Sequence, residues 1–294
     1  MRVLICIDDT DTLESKGTGT IADELRILIE TKGFGSCGEV TRHQLLLHED
    51  IDYTSHNSSM CFDAVVKEGV LPTLIPELYD HLQRESAEGS DPGLAVADID
   101  SPLINKERLI TYGVDAKKIV LTKELAYRTA KENGIYLNEA GGTGAGVIGA
   151  LAGFGLRLGG NDGEVKGGRE SFEKGETYTV AGLKTDGRIQ AVCTPEGQEA
   201  EDGDRVYIAW KAKPLLMNHK ITLLVLPTET AGHWCTMGKE ELREYGDLRA
   251  VSSGCELFLP DVAEEQVCAP THSCLNCRYR RWTASGFSCE VKKN

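Results

Sequence analysis

The chain has 294 residues, 40% of them hydrophobic, and a formal net charge of −14. That length exceeds the usual single-domain size of about 100 to 200 residues, so two or three domains with a sizeable core are expected. No apolar run approaches the roughly 18 residues of a membrane helix, and the acidic balance argues against a simple nucleic-acid binder, whose phosphate contacts need clustered Lys and Arg.

The first apolar run, Val3-Leu4-Ile5-Cys6-Ile7, reads as a buried strand, and it is too short for the core of a signal peptide, so a cytoplasmic location is expected. Asp8-Asp9-Thr10-Asp11-Thr12 follows directly. Three carboxylates at the end of a buried strand repel one another and are tolerable only if solvated or neutralised by a cation. Magnesium suits them, because it prefers oxygen ligands and commonly sits between carboxylates and phosphates. Lys16-Gly17-Thr18-Gly19-Thr20 then opens a helix on which Ile21, Leu25, Leu28 and Ile29 recur at helical spacing. Its free backbone N–H groups and hydroxyls favour an anion, so Thr10, Lys16, Gly17 and Gly19 are candidate nucleotide contacts. No Walker A pattern is present.

His43 and His48 are expected at the surface of a strand-like stretch. His56, in His56-Asn57-Ser58-Ser59, is a candidate general base with an ordinary pKa of about 6.5, and the rival reading is a local turn. Val70 to Arg84 is helical by the spacing of Leu74, Leu78 and Leu82, Leu94 to Ile99 is strand-like, and Lys117 to Asn133 is helical with Gly134 as its cap. Gly142, Thr143, Gly144 and Gly146 form a glycine-rich turn before a helix-like stretch from Val147. The preferred reading is a second phosphate-contacting loop. A nicotinamide or flavin fingerprint and a tight-packing turn without ligand are the alternatives.

Between Thr177 and Leu226, strand-like runs at Tyr178 to Leu183, Ile189 to Cys193, Arg205 to Trp210 and Ile221 to Leu226 predict a small antiparallel β element. Of the ten cysteines, Cys6, Cys37, Cys61, Cys193, Cys235 and Cys255 are expected as reduced core residues. Cys268, Cys274, Cys277 and Cys289 instead crowd into the last 27 residues as C-x5-C-x2-C-x11-C, with His272 as a possible substitute. Such spacing fits four thiolates around zinc at about 2.3 Å, with an iron–sulfur cluster or no metal as rivals. Beyond Cys274, Arg278, Arg280, Arg281, Lys292 and Lys293 stand against the single acid Glu290, interleaved with Tyr279, Trp282 and Phe287. A basic and aromatic patch of this kind can grip RNA on an otherwise acidic protein.

Ile7-Asp8-Asp9-Thr10-Asp11 with its Gly and Thr turn resembles the N-terminus of the TiaS family, the archaeal tRNA-Ile agmatinylcytidine synthetases. Asn57 stands in the family's R-G-N-x-A segment, Asp91-Pro92-Gly93-Leu94 resembles its N-P-G-L, and Gly144 to Ala152 resembles its G-x-G-x-I-G-A-L-A. The resemblance runs over about residues 1 to 195. It implies a kinase-like α/β (α+β) domain at 1–195 with a ferredoxin-like segment at 67–138, a β-rich domain at 196–267 and a Cys-rich, basic tail at 268–294. It also implies that Asp8, Asp9 and Asp11 hold magnesium on ATP, and that Thr20, or Thr18 in a shifted register, is a phospho-acceptor. The family activates a tRNA cytidine by phosphorylation so that agmatine displaces the phosphate. In this chain Gly19 replaces the family's Cys, and Ser55 and His56 replace its Arg and Gly, so the acceptor is left open as tRNA, a nucleoside or another small molecule. The alternative from another class is a non-catalytic ATP or RNA sensor with a metal- or redox-responsive Cys tail.

Overall fold

The computed structural model describes residues 1–52, 57–166, 172–185, 187–194, 197–209, 212–237, 257, 259–262, 277–283, 286–289 and 291. His56, Cys255, Cys268, His272 and Cys274 lie outside the described residues. The chain divides into two units, Met1–Gly159 and Gly160–Asn294, where the sequence placed a boundary near residue 195.

The first unit is built on an antiparallel sheet of β1 (Arg2–Asp8), β2 (Gly35–Cys37), β3 (Thr41–Gln44), β4 (Ser58–Val66), β5 (Gly93–Asp98) and β6 (Tyr136–Glu139). The order runs β6-β5-β1-β4-β3, with β2 also on β4. Side chains alternate across a strand, and the sequence of β1 is apolar on both sides because both faces are covered. Val3, Ile5 and Ile7 pack with Phe62, Leu94 and Val96 under α1 (Thr18–Thr31) and α2 (Leu71–Glu85), which contribute Ile21, Leu25, Ile29, Leu74, Leu78 and Leu82. Leu4 and Cys6 face the other way, with Cys61, Ala95 and Ala97. That second face lies under α3 (Lys106–Asp115), α4 (Lys123–Glu132) and α5 (Gly146–Gly159). The result is an α/β/α layering.

Several expectations change in detail. The stretch 67–138 does not make a sheet of its own, because β5 pairs with β1 over Val3↔Asp98 to Asp8↔Gly93 and β6 pairs with β5. The helix expected from Lys117 starts at Lys123, where the Thr122 hydroxyl accepts the Leu125 N–H. An earlier helix, α3, is capped by Asn105, which accepts from Arg108 N. His43 is fully buried rather than at the surface, its Nε2 2.7 Å from the Thr41 hydroxyl. Arg157 of α5, also buried, donates to that same hydroxyl at 2.7 Å and pairs with Asp63. Cys6 and Cys61 are core residues as expected, but they stand opposite each other in the β1–β4 register, with Cα atoms 4.2 Å apart, and are joined in a disulfide.

The second unit carries β7 (Glu164–Val165), β8 (Thr177–Thr179), β9 (Ala191–Cys193), β10 (Arg205–Tyr207), β11 (Leu215–Met217), β12 (Lys220–Pro227) and β13 (His233–Thr236). The β12 pairings with β11 and β13 are antiparallel, but β9–β12 and β10–β13 are parallel, so the element is mixed. The run at Tyr178 to Leu183 is only partly strand: Thr179 accepts the Gly182 N–H and caps a short helix, α6 (Val180–Lys184). A hairpin of β14 (Arg280–Thr283) and β15 (Gly286–Cys289) completes the unit. Arg280 is buried with Glu164 at 3.2 Å and Asp261 at 3.3 Å, and Lys213 pairs with Glu164 at 3.4 Å. No helix among the described residues is long and apolar enough to cross a membrane.

Candidate functional site

Alternation along β1 decides where Asp8 goes. It follows Leu4 and Cys6 onto the face covered by α5, where a carboxylate needs room. Gly149 supplies that room: a Cβ there would sit 1.5 Å from Asp8 Oδ2. Asp8 is 7% exposed, its Oδ1 accepts the Asp9 N–H at 2.9 Å, and Oδ2 accepts from no donor among the described residues. The chain then turns sharply, with Asp9 at a φ of 52°, a left-handed conformation that Asp tolerates better than most residues. Beyond the turn, Thr10 donates to the Thr18 hydroxyl at 3.0 Å, and Thr18 donates to Asp11 Oδ1 at 3.2 Å. This hydroxyl chain fixes the start of α1 against the acidic turn, since Gly17 offers no side-chain cap.

A cavity of about 190 Å³ opens at this end of the sheet. Asp8, Asp9, Asp11, Asp50, Asp52 and Asp91 line it, and among the described lining residues there is no Lys, Arg or His. Leu45, Ile51, Ile119, Val120, Leu121 and Ile148 form an apolar wall beside them. Ile119 and Val120 remain 55% and 40% exposed, a solvent-facing apolar ledge at the cavity. Burial, and then the charges of Asp9 and Asp11, hold the Asp8 carboxyl well above its ordinary range. Burial, and then Asp91 and Asp11, push Asp9 up to about 6. The site therefore concentrates negative charge in a place that penalises it.

The glycine-rich turn is tied to the same cavity. Asp91 accepts twice from Thr143: from its backbone N–H at one carboxylate oxygen, and from its hydroxyl at the other, 2.7 Å away. The Asp91 carbonyl accepts the Gly146 N–H at 2.9 Å, and Lys123 donates to the Thr143 carbonyl at 2.6 Å while pairing with Glu139. Gly142 takes a φ of 56° in this turn, a conformation that glycine adopts freely.

Of the residues singled out from sequence, Asp8, Asp9, Asp11, Thr18, Asn57, Thr143 and Gly146 line the cavity. Thr10 stands behind Thr18. Thr20 is exposed and off the lining. Lys16, Gly17, Gly19, Gly142 and Gly144 are also off it, and Lys16 is held by Glu24 and Glu85 at 2.8 and 2.7 Å. Asn57 uses its amide to donate to the Leu46 carbonyl at 2.6 Å, which pins the loop carrying Asp50 and Asp52. Sequence reasoning missed Asp50, Asp52, Asp91, Gly149 and the Ile119 to Leu121 ledge as site residues. Asp91 and Gly149 had a usable signal, since both fall in segments already singled out by motif.

The first unit is thus an α/β domain with an acidic cavity at the end of its central strand. No protein-family model and no curated protein sequence matches the chain. Solved structures do resemble it. A tRNA fluorescent labeling enzyme matches at 25% identity over 56% of this chain and 38% of its own, with a TM-score of 0.47. The complex of TiaS with an isoleucine tRNA and ATP matches at 24% identity over 56% and 38%, with a TM-score of 0.48. Apo TiaS, an isoleucine-tRNA agmatidine synthetase, matches at 23% over 56% and 37%, with a TM-score of 0.47. The chain spans less than two fifths of the length of these structures.

Proposed function

We propose that the cavity is the active site of an ATP- and magnesium-dependent phosphotransferase that activates a nucleoside or a tRNA base by phosphorylation. The observation that carries this reading is the buried Asp8 carboxylate, facing a cavity with five other carboxylates and with Oδ2 given no protein donor among the described residues. Such a group calls for a cation from outside the chain. No group of three or more His, Cys, Asp or Glu among the described residues is arranged to hold a metal ion by itself. Magnesium needs no such all-protein cage, because it takes one or two carboxylates and completes its shell with water and substrate phosphates. When bound, the ion supplies charge neutralisation between carboxylates and phosphates.

Asp8 and Asp11 are the proposed ligands, with Asp9 beside them. Thr18 is the better-placed phospho-acceptor, because its hydroxyl already donates toward Asp11, a carboxylate positioned to take the proton. Thr20 has no such partner on the cavity. The apolar ledge at Ile119, Val120 and Leu121 is the proposed wall for a nucleobase. In the tail, Cys289 at the end of β15 stands opposite Arg280, the first residue of β14, and Cys277 lies three residues before that strand in the sequence. That placement is compatible with zinc held by Cys268, Cys274, Cys277 and Cys289.

The test is magnesium-dependent ATP turnover with phosphate tracing in the wild type, Asp8→Asn and Asp11→Asn. Both variants are expected to keep the wild-type circular dichroism spectrum and lose turnover. Unchanged turnover in both overturns the proposal. ATP binding with neither turnover nor phosphothreonine favours the non-catalytic sensor instead.

A further inference from the structure

The Thr143 turn has two donors that face a ligand cavity and are nonetheless occupied. Its backbone N–H and its hydroxyl both end on the two oxygens of the Asp91 carboxylate. Two donors converging on two oxygens of one anionic group is the geometry with which a glycine-rich turn receives one face of a phosphate. The turn cannot collapse onto Asp91 for lack of support elsewhere, because Lys123 holds the Thr143 carbonyl and Asp91's own carbonyl holds Gly146. Asp91 also lines the cavity, with Asp8, Asp9 and Asp11. An anion approaching this turn therefore meets a negative group already seated there. A second, independent feature marks the cavity as a ligand site: the Asp8 side chain, 7% exposed, lines it with a single hydrogen bond among the described residues, from the Asp9 N–H to Oδ1.

We propose that Asp91 is a built-in surrogate anion: in the ligand-free protein its carboxylate occupies the seat on Thr143 that a phosphate group of the nucleotide takes, and it makes nucleotide binding conditional on a divalent cation. The inference rests on the phosphotransferase reading and deepens it by naming the residue that excludes metal-free nucleotide. With the cation present, Asp91 and its neighbours have a positive partner within the cavity, and Thr143 is released to the phosphate. Without it, the carboxylate keeps both donors and repels the polyphosphate. A neutral Asn at this position would hold the turn through one acceptor without closing the seat by charge.

Calorimetric titration of the whole chain with the non-hydrolysable β,γ-imido-ATP, in excess magnesium and in EDTA, tests the proposal. Wild type is expected to bind in magnesium and at least about tenfold more weakly in EDTA, the scale set by one nearby like charge. Asp91→Asn retains an acceptor for Thr143 and removes the charge, so it should bind in EDTA about tenfold more tightly than wild type, shrinking the magnesium dependence. Thr143→Val guards against a loosened turn: it should weaken binding in magnesium several-fold, and combined with Asp91→Asn it should cancel much of the EDTA gain. If Asp91→Asn weakens binding equally in both media, or leaves the EDTA affinity unchanged, the surrogate role is overturned while the phosphotransferase reading stands. If wild type binds the analogue in neither medium, both fall.

Discussion

Replacing Gly149 by alanine separates the packing of Asp8 from its charge. The new Cβ would lie 1.5 Å from Asp8 Oδ2, 2.6 Å from its Cγ and 3.1 Å from Leu45 Cδ1. The backbone of β1 cannot retreat, because Asp8 is paired with Gly93 and its strand is bonded on both edges. The carboxyl group must rotate away instead. Alanine favours a helix interior over glycine by about 1 kcal/mol, while overpacking costs about 1 to 3 kcal/mol, so the net loss should be at most about 2 kcal/mol. For a domain of this size that is a fall of roughly 4 to 8 °C in melting temperature. Affinity for β,γ-imido-ATP with magnesium should drop by at least about tenfold, because Asp8 no longer faces the cavity. Asp8→Ala combined with Gly149→Ala should recover the melting temperature without recovering binding. Scanning calorimetry and titration calorimetry on the three variants give the answer. A Gly149→Ala protein that is more stable than wild type and binds normally would refute the placement of Asp8 against α5.

Asp8 and Asp9 are both held above the unfolded carboxylate value of 3.8, so the folded protein retains protons that the unfolded chain has released. Metal-free stability should therefore be greatest below that value and fall as pH rises through about 6, where Asp9 ionises. Asp9 alone accounts for at most about 3 kcal/mol before solvent screening, and urea denaturation in EDTA from pH 4 to 8 should show Asp9→Asn with a flatter profile; a wild-type profile rising over that range contradicts the assignment. Thr18→Val should cost about 1 to 3 kcal/mol, since the Thr10 hydroxyl loses its acceptor, whereas Thr18→Ser should cost little; equal losses would exclude the hydroxyl chain. After incubation with ATP and magnesium, tandem mass spectrometry should find phosphate on Thr18, and phosphate confined to Thr20 would refute the proton path to Asp11. Arg157→Met should cost about 2 to 4 kcal/mol in urea denaturation by stripping Thr41 and Asp63 of a buried guanidinium, and a change under about 0.5 kcal/mol would show that bond to be idle.

The parts of the fold legible in sequence are those whose signal is local. The five apolar residues of β1, the 3.6-residue spacing of α1 and α2 and the apolar run of β5 each identify their element without reference to another. Ile119-Val120-Leu121 reads as part of a helix from Lys117 because an apolar triplet fits either reading, and only packing puts it at the cavity. Tyr178 to Leu183 is rich in strand formers, yet the hydroxyl of Thr179 caps a helix there. For the site, Asp8 and Asp11 stand out because their charges are adjacent in the chain. Asp50, Asp52 and Asp91 reach the same cavity from distant loops; nothing within a few residues marks Asp50 and Asp52, and Asp91 is marked only by the motif it opens, which does not say that its carboxylate joins the site. The pairing of Cys6 with Cys61 likewise depends on strand register, which composition does not reveal.

β1 is the middle strand of its sheet, hydrogen-bonded to β4 on one side and β5 on the other. A strand bonded on both edges is released only when large parts of a domain open together, whereas edge strands and loops open locally and often. The amides of Cys6 and Ile7 should thus be among the slowest in the unit to exchange with deuterium, while those of the Asp50 loop exchange quickly. The acidic turn is mounted on the last part of the domain to open, and the Asp50 loop that lines the cavity beside it belongs to the first.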